Sequence, residues 1–172
     1  VNTGFARDNL DLTVVKDQDT DRYILDYLKV NHGEAGIIYA STRKEVEEIC
    51  EWLNHNHFKA VRYHAGLSER ERQMNQELFL FDEVPIMVAT NAFGMGINKP
   101  NVRFVIHYAI PATIESYYQE AGRAGRDGLE SDAILLFSPN DLRIRNFLIE
   151  QGEGGEGHKE LEYEKLRQMQ AY

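Results

Sequence analysis

A chain of 172 residues, 42% of them apolar, can bury one core, and 4 Pro and 13 Gly are too few for a disordered or fibrous polypeptide. No apolar run approaches the roughly 18 residues of a membrane span, the opening residues lack the order of a secretion signal, and the lone cysteine, Cys50, excludes an internal disulfide or a cysteine-rich zinc site. The net charge of −9 weighs against nucleic acid as the partner of a free-standing domain. The acids are nevertheless concentrated, on Glu45, Glu47, Glu48 and Glu51 and in a tail holding Glu150, Glu153, Glu156, Glu160, Glu162 and Glu164, so a local basic strip can survive.

Leu12 to Val15 reads as a short strand, and Asp21 to Val30 as a helix with Ile24, Tyr27 and Leu28 at helical spacing. Gly36 to Ala40 is a continuous apolar run, the pattern of a strand covered on both faces. Thr42 and Glu45 form a capping box for a helix whose inward stripe is Val46, Ile49, Cys50 and Leu53. On that face Cys50 reads as buried filler, in a reducing, intracellular setting, either cytoplasmic or nuclear. Ala60 to Tyr63 is the next strand, and Ser68 with Glu71 caps a helix expected to turn Met74, Leu78 and Phe81 inward. Strands follow at Pro85 to Ala89, Arg103 to Tyr108 and Asp132 to Phe137, with a helix from Thr113 to about Arg123 and another starting at Ser138 and Pro139. The alternation predicts an α/β fold of three layers, a mainly parallel sheet between helices. Ligand-contacting groups then belong at the carboxyl ends of the strands.

Four segments carry possible chemistry. In Ser116-Tyr-Tyr-Gln-Glu-Ala-Gly-Arg-Ala-Gly-Arg-Asp-Gly128, Gln119, Arg123 and Arg126 fall on one helical face if the turn continues that far. Two arginine forks beside Gly122 and Gly125 suit a transferring phosphate, and suit equally a glycine-capped helix end with cations at its dipole. In Val88-Ala-Thr-Asn-Ala-Phe-Gly-Met-Gly-Ile-Asn98, Thr90 offers a hydroxyl and an N–H, Gly94 and Gly96 admit a close ligand, and Asn98 can bond a sugar hydroxyl. An ordinary strand-to-helix turn explains the same residues. Ser41, Thr42 and Arg43 sit where a strand feeds a helix, either an anion site or a plain cap. His64, in Arg62-Tyr-His-Ala-Gly-Leu-Ser68, is a turn residue or a ligand contact. His55 and His57 read as a surface pair rather than metal ligands, and Tyr117 and Tyr118 as packing more readily than base-stacking groups.

The Gln-x-x-Gly-Arg-x-Gly-Arg string at 119–126 resembles motif VI of superfamily 2 helicases, and Tyr118 to Gly128 resembles the RecQ branch. Val88 to Tyr108 is similar to RecQ motif V, Gly36 to Lys44 to motif IV, and the His64 segment to the corresponding RecQ loop. The resemblance implies a RecA-like second lobe of an ATP-dependent DNA helicase moving 3′ to 5′. It implies Arg126 as the arginine finger with Arg123 assisting, and Gln119, Gly96 and Asn98 near the nucleotide. Ser41, Arg43, Thr90 and the His64 loop are implied on the DNA backbone, single-stranded or duplex. Asn2 to Leu10 resembles the start of that lobe, with Arg7-Asp8-Asn9 where arginine-proline-asparagine is usual, so a contact from that segment is the weaker expectation.

Absences complete the expectation. No Gly-x-x-x-x-Gly-Lys-Ser/Thr cradle and no Asp-Glu-x-His or Asp-Glu-Ala-Asp string occur, so ATP and Mg2+ would be held mainly by a first lobe of the same protein. Residues 1–150 are read as the lobe and 151–172 as a Gly/Glu-rich linker leading toward a zinc module outside the sequence, in a piece of a longer polypeptide that opens on Val1. No metal site and no membrane contact are expected within the chain itself. The rival readings are a lobe of an RNA helicase and a non-catalytic nucleic-acid-binding or scaffold module.

Overall fold

The computed structural model describes residues 8–16, 19–90 and 99–137. Six strands form one sheet: β1 (Leu10–Lys16), β2 (Gly36–Tyr39), β3 (Ala60–Tyr63), β4 (Ile86–Ala89), β5 (Phe104–His107) and β6 (Ser131–Phe137). Their order is β1-β6-β5-β2-β4-β3, and every neighbouring pair is parallel. The helices are α1 (Thr20–Val30), α2 (Arg43–His55), α3 (Glu69–Leu80) and α4 (Ile114–Ala121). The expected α/β architecture is present, with all described strands parallel rather than mainly so.

Alternation along the strands divides the core into two layers. Ile38, Val88, Phe104, Ile106, Ile134 and Leu136 face the stripe of α1 and α2, made by Ile24, Leu28, Val46, Ile49 and Leu53. Ile37, Tyr39, Met87, Ala89 and Val105 face the opposite side with Phe79 of α3, and Ala133 and Leu135 pack there with Tyr117 and Ala121 of α4. The centre of the sheet is covered twice, so its strands read as unbroken apolar runs instead of alternating ones.

Two details differ from the sequence reading. In α3 the buried positions are Asn75 and Phe79, Leu78 is half-buried, and Met74 is 53% and Phe81 71% exposed, so the inward assignment of Met74 and Phe81 is incorrect. The face is chosen by a polar residue. The Asn75 side chain donates to the Arg62 carbonyl of β3 at 2.8 Å, which turns Phe79, one turn on, into the core and Met74 outward. The other difference is the end of α4. It stops at Ala121 with Gly122 as its cap, so the helical face carrying Gln119 does not extend to Arg123 and Arg126.

Cys50 is buried, its Sγ 3.6 Å from the Ala60 carbonyl, and burial raises the thiol to a pKa of about 11. That agrees with its reading as filler. Tyr117 is buried and packs against His107 and Tyr118. His55 and His57 are exposed.

Candidate functional site

Parallel pairing brings the carboxyl ends of β2, β4 and β3 side by side. Neighbouring strands lie about 4.8 Å apart, so three adjacent strands span about 10 Å. Three of the predicted segments therefore meet at one edge: Ser41 and Arg43 after β2, Thr90 after β4, and His64 after β3. The Thr90 N–H donates to the Tyr63 carbonyl at 3.2 Å, which ties the end of β4 to that of β3, and Thr90 itself is 9% exposed. Gly94, Gly96 and Asn98 lie outside the described residues.

At the start of α2 the Thr42 hydroxyl accepts from the Glu45 N–H at 3.1 Å, as a cap should. The reciprocal bond is displaced by one residue. The Glu45 carboxylate accepts from the Ser41 N–H at 3.0 Å and from the Ser41 hydroxyl at 3.2 Å. A carboxylate thus occupies both donors of Ser41. Arg43 is exposed beside them.

His64 is 5% exposed, with both ring nitrogens engaged. Its Nδ1 accepts from the Gly66 N–H at 3.0 Å, and its Nε2 lies 2.5 Å from Glu47. Glu47 also takes a hydrogen bond from Arg62, which in turn donates to Glu71 at 2.8 Å and 3.2 Å. The ring therefore holds the 64–68 turn against α2 and reaches nothing outside. Burial alone would raise the Glu47 carboxyl, but the His64 hydrogen bond and the Arg62 charge outweigh it and hold the group below its ordinary value of 4.5. A carboxyl depressed on folding adds stability above its unfolded pKa and loses it as pH falls through the folded value. Thermal unfolding followed from pH 7 to pH 3 should therefore show a drop below about pH 4.5, and Glu47→Gln should flatten it. An equally steep drop in Glu47→Gln would assign the acid sensitivity to other carboxyls.

The arginine segment is built differently. Gln119 is exposed on α4, and the chain beyond Gly122 turns back toward the amino end of β5. There Gly125 N–H donates to Val102 O at 2.8 Å and Asp127 N–H to Pro100 O at 3.1 Å. Arg103 pairs with Asp127 at 2.5 Å and closes the turn. Arg126 is exposed, with Nε 3.4 Å from the Gly122 carbonyl. Arg123 is half-buried, and its Nε is buried without a hydrogen-bond partner among the described residues. Burial pushes the Tyr39 hydroxyl far up in pKa, and the adjacent Arg123 charge only partly opposes this.

Several residues of this region escaped the sequence reading. His107 and Glu120 form a buried pair at 2.9 Å, with the Tyr39 ring stacked on His107 at 5.2 Å, and together they pin the last turn of α4 before the arginines. The signal available was a histidine closing an otherwise apolar strand. Lys99, 4% exposed, pairs with Asp82 at 2.6 Å and lies 5.3 Å over the Phe79 ring. It fixes the chain ahead of β5 against the end of α3. Asn9 bridges two carbonyls of the arginine turn.

Residues 19–128 match the helicase conserved C-terminal domain family. The whole chain is 55% identical to the ATP-dependent DNA helicase RecQ of Bacillus subtilis, over 172 residues that make up 29% of that protein. The chain belongs to the helicase C-terminal domain family, in its RecQ branch. It is also 44% identical over 87% of its length to the ATP-dependent DNA helicase RecQ of Pasteurella multocida, and 38% identical over 98% to the RecQ-like DNA helicase BLM of Xenopus laevis. It spans less than a third of each relative: 29%, 24% and 13% of their lengths.

Arg126 is exposed, and Arg123 keeps a desolvated, unpartnered Nε close by, at the end of a helix whose cap and turn carry no side chains at 122 and 125. Two planar, permanently charged forks in that setting fit phosphate oxygens. Among the described residues no cluster of three or more His, Cys, Asp or Glu is placed to hold a metal ion, and no helix is long and apolar enough to cross a membrane.

Proposed function

We propose that this lobe is the second half of an ATP-driven motor that unwinds duplex DNA while moving 3′ to 5′ on a single strand. The observation that carries the reading is the turn at 122–128. It presents Arg126 outward with Arg123 beside it, on a chain whose family is RecQ. Phosphoryl transfer needs a phosphate cradle, a metal and a counter-charge on the transferred group. Arg126 and Arg123 supply the counter-charge, and Gln119 helps hold the lobe interface. Gly96 and Asn98 belong near the nucleotide. The cradle and Mg2+ belong to a first lobe of the same protein, and ATP occupies the cleft between the two.

Ser41, Arg43, Thr90 and the His64 turn grip the DNA backbone, so sequence preference is weak. Ser41 does so after Glu45 is displaced, and His64 acts by shaping its turn rather than through its ring. The lobe ends near residue 150. Residues 151–172 lead to a further module, where zinc belongs. DNA repair and recombination, inside the cell, are the processes such a motor serves. An RNA-directed motor is the weaker reading, because the relatives' names all specify DNA where they specify a nucleic acid.

The test is ATP hydrolysis by the full-length protein with single-stranded DNA or RNA added, alongside residues 1–172 alone. Turnover stimulated by DNA, weak with RNA and negligible for the isolated lobe, is the expected pattern. Robust hydrolysis by the isolated lobe would overturn the two-lobe reading.

A further inference from the structure

The turn bearing Arg126 is held from an unexpected direction. Asn9, immediately before β1, reaches across the amino edge of the sheet. Its Nδ2 donates to the Gly125 carbonyl at 2.7 Å and to the Leu129 carbonyl at 3.0 Å. These two acceptors bracket Arg126 in sequence. Both amide hydrogens of one side chain are therefore spent on the backbone at either end of the arginine turn.

The surroundings are shaped to the same contact. Ser131 N–H donates to the Asn9 carbonyl at 2.9 Å, and the Ser131 hydroxyl lies within 3.3 Å of Val102 O and 3.2 Å of Leu129 O. Gly125 adopts a φ of +66°, and a Cβ there would stand 2.6 Å from Asn9 Nδ2 and 2.8 Å from Ser131 Oγ. The glycine is required both by the left-handed backbone and by the closeness of the asparagine. Both features act on the backbone that joins the arginine turn to Val102 and Ser131.

We propose that Asn9 is a positioning residue for Arg126. Its two hydrogen bonds fix the 125–129 turn so that the guanidinium meets the transferring phosphate in a defined geometry. The inference rests on the reading of Arg126 as the counter-charge. Misplacing a reacting group by about 1 Å costs up to about a hundredfold in rate, so loss of the clamp acts on kcat rather than on ATP binding.

The experiment is steady-state, DNA-stimulated ATP hydrolysis by the full-length protein, wild type against Asn9→Asp, Arg126→Ala and the double variant, with thermal unfolding of each. Aspartate keeps the shape and removes both donors, leaving a carboxylate against two carbonyls. Asn9→Asp should lower kcat about ten- to a hundredfold with KM for ATP nearly unchanged. In the Arg126→Ala background it should lower kcat no further, because the group being positioned is gone.

Loss in Arg126→Ala but wild-type kcat in Asn9→Asp overturns this inference and leaves the arginine reading standing. Losses that multiply in the double variant, or a fall in unfolding temperature without a fall in kcat, also overturn it, since Asn9 then acts elsewhere or only on stability. Unchanged turnover in Arg126→Ala removes the reading beneath it as well. Should Asn9→Asp not fold, Asn9→Ala removes the donors without adding charge and is read by the same criteria.

Discussion

Replacing Arg126 with alanine in the full-length protein is expected to lower DNA-stimulated ATP turnover by about a thousandfold or more while nucleotide binding persists. The side chain is exposed within a turn fixed on both flanks, by the Gly125–Val102 hydrogen bond before it and the Asp127–Pro100 hydrogen bond after it. A guanidinium so placed costs little to keep solvated in the open lobe. Its interaction strengthens once a cleft closes and water leaves, because charge pairs gain as the local dielectric falls. The benefit therefore falls mainly on the reacting state and appears in kcat. Arg126→Lys should recover little, since a point charge lacks the planar fork. Rapid-quench hydrolysis with nucleotide affinity measured in parallel distinguishes the outcomes. Unchanged turnover would make Arg126 a helix-end residue, and the proposed division of labour between lobes would lose its catalytic half.

Gly36→Ala is expected to destabilise the lobe by about 3 kcal/mol, a fall of roughly 6–12 °C in unfolding temperature. Gly36 opens β2 directly opposite Phe104 of β5, and an alanine Cβ there would stand 2.0 Å from the Phe104 ring. The ring lies across the glycine as if it were the missing side chain. It cannot retreat, because Phe104 is fully buried and meets Tyr27 edge-on at 5.2 Å. Tyr27 in turn is tied to Asp132 by a 2.6 Å hydrogen bond. Calorimetry of Gly36→Ala with and without Phe104→Leu checks this. The smaller leucine should return part of the loss, and a double variant less stable than the sum of the singles would refute the account.

Much of this fold was legible because its local signals agree. Thr42, Ser68 and the apolar stripes of α1 and α2 each point to the elements found. The clustering of Ser41, Thr90 and His64 follows once alternation implies a parallel sheet, since such sheets gather their loops at one edge. What failed was polar and long-range. Asn75 is buried for a backbone hydrogen bond that no periodicity reveals, and the buried face of α3 lies one residue on from the one assigned. The helical phase of Gln119, Arg123 and Arg126 broke at Gly122, where spacing alone cannot say whether a glycine interrupts or ends a helix. Glu45 turning to Ser41, and Asn9 reaching Gly125, depend on geometry between segments that composition does not encode. The segment around Asn9, which resemblance made the weakest, holds the turn of greatest chemical interest.

The pairing of β1 with β6 has a consequence for how the polypeptide matures. Among the described strands the first finds its partner only in the last, Leu10 to Lys16 lying against Ser131 to Phe137. During synthesis the amino-terminal strand emerges early and waits, with unpaired edge groups open to wrong partners, until nearly the whole lobe has left the ribosome. Contacts so distant along the chain form late and slowly. The Asn9 bridge joins the same two regions, so the arginine turn takes its shape in that final closure. A partly made or misfolded lobe can carry the described helices and still lack a formed arginine turn, and on the function proposed above, ATP turnover by the full-length protein would double as a report that this closure has finished.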